Sequence, residues 1–134
     1  MKRVSAVAAS VLWICAGAAG QETGYGKGEY LNSCAMCHGE AGEGDGPLAR
    51  DLYKAPADLT RLSERNGGEF PYWLVFATID GRHAANQLDH RDMPVWGERF
   101  LDGDARKYGP KGGEAVTTER ILQLADYVQS LQRR

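Results

Sequence analysis

The sequence predicts a helical fold, on three observations. Ile121, Leu124, Ala125, Val128 and Leu131 recur three or four residues apart and form one apolar stripe, with Glu119, Arg120, Gln123, Asp126 and Gln129 on the other side. Gly26, Tyr30 and Cys34 recur every four residues and share one face. Residues 70–81, "FPYWLVFATIDG", are the most apolar segment, with Pro71 suited to a first helical turn and Gly81 to a helix end. The aromatic and β-branched content of this last segment also fits a buried strand, which periodicity does not separate from a buried helix. Its flanking residues favour helix.

Taken in order, the chain opens with a distinct stretch. Residues 1–20 carry Lys2 and Arg3, then an uncharged apolar run, then small residues, the pattern of a secretory signal peptide cleaved after Ala19 or Gly20. The run is short for a membrane span. An uncleaved anchor is the alternative, and a lipid anchor at Cys15 is disfavoured by bulky Ile14. Residues 21–25 read as a short lead and 26–37 as a helix. Glycine, proline and charge punctuate 39–68, which reads as loop with short helical pieces near "PLARDL". A helix over 70–80 precedes a long loop over 82–97. Residues 98–116 are polar and glycine-rich apart from Phe100 and Leu101, and resemble an insertion. The last helix starts at Thr117, a reasonable N-cap. Arg133 and Arg134 suit the negative end of its dipole, or a solvated tail.

A chain of 134 residues is enough for one domain, and 43% apolar with 25% charged residues is ordinary for a globular protein. The formal charge is −2, and loss of Lys2 and Arg3 with the leader makes it two units more negative. There is no basic stripe, which argues against a nucleic-acid partner. Seventeen glycines are about twice the average share, so many positions add nothing to a core.

Cys15 leaves with the leader, so the exported chain keeps only Cys34 and Cys37. A disulfide between them would close a tiny ring of little entropic value. They stand in "CAMCH", Cys34 to His38, and Cys-x-x-Cys-His is the attachment signature for c-type haem. On a helical turn positions i, i+3 and i+4 project to one side. Cys34 and Cys37 would bond the two vinyl groups of one porphyrin, and His38 would fall under the iron as proximal ligand. A zinc site from Cys34, Cys37, His83 and His90 lacks ordinary ligand spacing in its second half. A thioredoxin-like dithiol expects a preceding strand, and the residues before Cys34 read as helix. A buried porphyrin would supply the core the chain is short of, so the haem-free chain is expected to be largely unfolded. Gly39, Gly42, Gly44 and Gly46 would let the backbone pass close to it.

With these residues in place, residues 24–132 resemble a class I, mono-haem cytochrome c. Gly26, Tyr30, Cys34, Cys37 and His38 match Gly-x-x-x-aromatic-x-x-x-Cys-x-x-Cys-His, followed by Pro47, a Met93–Pro94 pair, and Leu124 and Tyr127 in Leu-x-x-Tyr. The resemblance implies an all-α fold with crossing N- and C-terminal helices and three to five helices around one covalent haem c, in a single domain over 21–134. Gly26 would let those helices approach, with Tyr30 near Leu124 and Tyr127. It also implies helix for 70–80. For the sixth iron ligand, Met36 lies between the cysteines and Met1 in the leader, which leaves Met93, His83 and His90. Met93 precedes proline in a loop, as in the family, and His90 is the main alternative. His83 and His90 are otherwise surface imidazoles. The Pro47 carbonyl is expected to accept from the second ring nitrogen of His38. Trp96 either donates to a haem propionate or packs on the haem edge. Arg91 is expected to be exposed, and Trp73 to be core.

Histidine and thioether ligation would fill both axial positions and suit single-electron transfer rather than bond chemistry. The reading is a periplasmic electron carrier, not an enzyme, meeting a redox donor and acceptor transiently at an exposed haem edge. Membrane contact is expected only if the leader stays. The alternatives are a haem subunit of a periplasmic dehydrogenase or oxidase, with 98–116 as contact surface, and an enzyme or sensor with an open iron.

Overall fold

The computed structural model describes residues 19–83 and 93–133. The expected leader, but for its last two residues, lies outside the described residues, as do His90, Arg91 and Arg134. Among the described residues all regular structure is helical: α1 (Ala19–Ser33), α2 (Ala35–His38), α3 (Leu62–Arg65), α4 (Tyr72–Asp80) and α5 (Trp96–Ser130), with 3₁₀ turns at Ala49–Asp51 and Leu59–Arg61. The first helix thus starts earlier than the apolar spacing indicated. The break at Cys34 is slight, since the Cys34 amide donates to Tyr30 (2.8 Å) and the His38 amide to Cys34 (2.9 Å).

The expected crossing of the terminal helices is present, and Gly26 is its contact point. A Cβ there would lie 2.2 Å from the Gln123 carbonyl oxygen and 3.1 Å from Tyr127 Cβ. Only a residue without a side chain allows that approach. One turn on, Tyr30 is fully buried, with its ring 5.1 Å from that of Tyr127 and its hydroxyl donating to the Gly39 carbonyl at 2.7 Å. Ile121, Leu124 and Ala125 fill the rest of the crossing.

Helix α4 fulfils the helical reading of the apolar segment. Gly81 closes it at φ 67°, in the left-handed region. Val75 and Ile79 turn inward, and the Tyr72 hydroxyl donates to Asp126 at 2.6 Å, pinning α4 to α5. Trp73, expected in the core, is 71% exposed: the helical period puts it on the face away from Val75 and Ile79.

The largest departure from the sequence reading is residues 98–116. They are helical, and α5 is two limbs joined at Gly109, whose φ of 73° and ψ of 170° stop the helix ahead of Pro110. The limbs fold back on each other. A Cβ on Gly113 would sit 2.5 Å from the Ala105 backbone, and Thr117 hydrogen-bonds Asp104 at 2.9 Å. In a straight helix residues thirteen apart are about 20 Å apart. Thr117 is therefore no N-cap but a wholly buried residue inside the second limb. The polar composition misled because, besides Phe100, the stretch buries Asp104 and Gly113, which are not apolar. Downstream, Gln132 bonds the amide of Ser63 and the carbonyls of Leu59 and Val128, while Arg133 donates its amide to Thr60 and pairs with Glu43. Arg133 is thus tied to the loop rather than left in a solvated tail.

Gly26→Ala is expected to lower stability by about 1–3 kcal/mol through overpacking. Gly103→Ala, in a helical position where an added Cβ meets nothing within 4 Å, is expected to raise it by about 0.5–1 kcal/mol. Urea unfolding of the two variants checks both signs.

Candidate haem-attachment site

The site starts as one turn of chain. The amides of Cys37 and His38 both donate to the Cys34 carbonyl, at 3.1 and 2.9 Å. That geometry brings Cys34, Cys37 and His38 to one side. Neither cysteine is in a disulfide.

The glycine-rich loop then doubles back beneath the turn. Gly44 donates to His38, Gly46 to Cys37 and Leu48 to Met36, at 2.8, 3.1 and 2.9 Å. These bonds satisfy carbonyls that a helix end leaves without partners. A Cβ on Gly46 would lie 2.5 Å from the Met36 oxygen and 2.6 Å from that of Ala35. The close passage seen here is therefore to the motif's own backbone, where the sequence suggested a passage along a porphyrin.

The second ring nitrogen of His38 is held, but not by Pro47. Nδ1 lies 3.0 Å from the Ala57 carbonyl oxygen. Pro47 is exposed, in the limb bonded under α2, and lines a groove with Leu31, Met36, Glu40 and Asp45. The acceptor comes from the next limb, shaped by Asp58, whose carboxylate accepts from the Thr60 amide (2.9 Å) and hydroxyl (2.6 Å). A carbonyl can only accept, so Nδ1 carries the proton and Nε2 keeps its lone pair. Burial lowers the His38 pKa below its ordinary value, with the Ala57 bond opposing it. The ring is thus neutral near pH 7, the form that binds a metal. Burial also pushes the Cys34 thiol up to about 12, with Glu29 and Cys37 adding to it.

Of the other sequence-predicted residues, Met93 is half-buried and packs against the core. Trp96 opens α5 with its ring 5.4 Å from Phe100 and the Arg99 guanidinium 5.4 Å over it. The His83 side chain is 90% exposed, a surface imidazole 3.3 Å from Asp80. Among the described residues no group of three or more His, Cys, Asp or Glu side chains is placed to hold a bare metal ion.

Two unpaired thiols and a neutral, oriented imidazole on one side of a turn fit a covalently attached haem. Cys34 and Cys37 would hold the macrocycle and His38 its iron, and the group would supply a one-electron redox couple. Fold and site thus define a helical haem protein. The particular family follows from comparison: residues 24–132 match cytochrome c, and the chain belongs to that family. Its members bind covalent haem c with its iron and carry electrons to redox partners. No curated protein and no solved structure matches the chain.

Ala57 escaped the sequence reading because its contribution is a main-chain carbonyl, which any residue type supplies. Asp58, two residues before Thr60, was the available signal, an acceptor shaping a turn.

Asp58→Ala is expected to cost about 1 kcal/mol, as for a lost cap, and to raise the reduction potential, because a looser Nδ1 bond leaves His38 a weaker donor to ferric iron. The Thr60 hydroxyl bond, foremost, holds the Asp58 carboxyl below its usual range. That stabilisation is full above the ordinary carboxylate pKa and is lost as pH falls through the lowered folded value. Voltammetry and acid unfolding of variant and parent check both.

Proposed function

We propose that the chain is an exported, periplasmic single-electron carrier whose iron is held by His38 and Met93. The observation that carries the ligation is the packing of Met93 against the core cluster that contains Cys34. Met93 lies just before Pro94, whose fixed φ stiffens the backbone next to the sulfur. A thioether opposite an imidazole favours Fe(II) and raises the potential relative to two imidazoles. His38 and Met93 together would leave the iron no place for a substrate, and the function would reduce to outer-sphere transfer.

Export is supported by Lys2 and Arg3 ahead of an apolar run and small residues. A cysteine pair committed to haem agrees with a compartment outside the cytosol. Donor and acceptor would dock transiently over the haem edge, through an interface at the small end of the known range.

Visible spectra of the oxidised and reduced protein test the ligation: a low-spin spectrum with the ferric thioether charge-transfer band is expected. Met93→Ala is expected to remove that band and let carbon monoxide bind the ferrous form. A parent that binds carbon monoxide at neutral pH would sink the assignment. Release of the haem-stained product by osmotic shock tests the location.

A further inference from the structure

We infer that Arg120 is a positioning residue for Met93, a brace tying the helix that delivers the cysteines to the limb that begins just after Met93. The inference rests on the Met93 ligation proposed above.

From the second limb of α5 the guanidinium reaches two other elements at once, α1 and the first limb. Its Nε and Nη2 donate to Glu29 Oε2 on α1 at 3.1 and 2.9 Å. Its Nη1 lies 3.1 Å from each carboxylate oxygen of Asp104 on the first limb of α5. Its carbon stands 3.9 Å from the centre of the buried Phe100 ring. Both ends extend toward the haem residues. Glu29 also accepts from Ser33 at 2.8 Å, and Ser33 precedes Cys34. Phe100 stacks 5.4 Å from Trp96, three residues beyond Met93. Asp104 is further held by the Thr117 hydroxyl at 2.9 Å.

The arrangement is an inefficient way to gain stability. One cation serves two carboxylates, all three side chains are 30% exposed or less, and each charge gives up hydration. Apolar residues of like volume would fill the space at least as well. A planar fork supplies direction instead: donors on opposite edges fix the angle between α1 and the first limb, while the flat face fixes Phe100. The cysteines are attached to one of these elements and Met93 to the other. Their separation is thereby set through Arg120.

The test uses the haem-loaded protein with Arg120→Met, which keeps the apolar stem and removes the fork. It is expected to retain covalent haem and helical circular dichroism, to lose the ferric thioether band at a neutral pH where the parent keeps it, and to bind carbon monoxide when reduced. Gln132→Ala, which cuts three bonds elsewhere, is expected to lower the unfolding midpoint while keeping the band and excluding carbon monoxide. If Arg120→Met yields no folded haem protein, Arg120→Lys, with the charge but not the fork, is expected to show the same spectral loss. An Arg120 variant that unfolds earlier yet keeps the parent's band overturns the inference and leaves Met93 ligation standing. A parent without the band overturns the ligation, and the brace with it.

Discussion

The contact between Gly26 and the Gln123 carbonyl sets the distance between the first and last helices, and most of the structure depends on that distance. It allows the Tyr30 and Tyr127 rings to meet, and it places the Tyr30 hydroxyl on the Gly39 carbonyl at 2.7 Å. Gly39 follows His38 directly, so the crossing and the attachment turn share a hydrogen bond. An added methyl group at Gly26 would push against backbone, which cannot rotate away as a side-chain tip can. The effect would reach the attachment turn within one residue of His38.

The attachment turn itself is held by main chain more than by side chain. Three amides from the glycine-rich loop bond the carbonyls of Met36, Cys37 and His38, and one carbonyl from Ala57 holds the imidazole. Such a scaffold needs little hydrophobic volume. It suits a chain with many glycines and few bulky side chains, in which a porphyrin provides the missing apolar body. The α5 hairpin is a second support. Its first limb carries Phe100 and Asp104 back against the second, so that the stretch following Met93 leans on a folded pair of helices.

Much of this was legible in the residues. The CAMCH motif announced haem because its spacing suits two vinyl groups and one iron, and no packing detail alters that. The helical face through Gly26, Tyr30 and Cys34, the stripe from Ile121 to Leu131 and the Pro71 and Gly81 boundaries all appeared as read. What was not legible lies where burial is polar or where the main chain acts. Residues 98–116 looked like an insertion because Asp104 and Gly113, and Thr117 just beyond them, break the apolar pattern while being buried. Arg120 and Asp126 looked like members of a solvated face, yet each is bonded across the fold, to Glu29 and Asp104 and to Tyr72.

The sequence by itself determined the cofactor chemistry, the helical class and the family, since these rest on local spacing: which side chains share a turn, and where a helix can begin or stop. Only the tertiary structure decided which carbonyl holds His38, that the chain reverses at Gly109, and which charges meet around Arg120. Those are contacts between residues far apart in the chain, chosen by how helices pack, and no local pattern encodes the partner of a main-chain atom or of a buried ion.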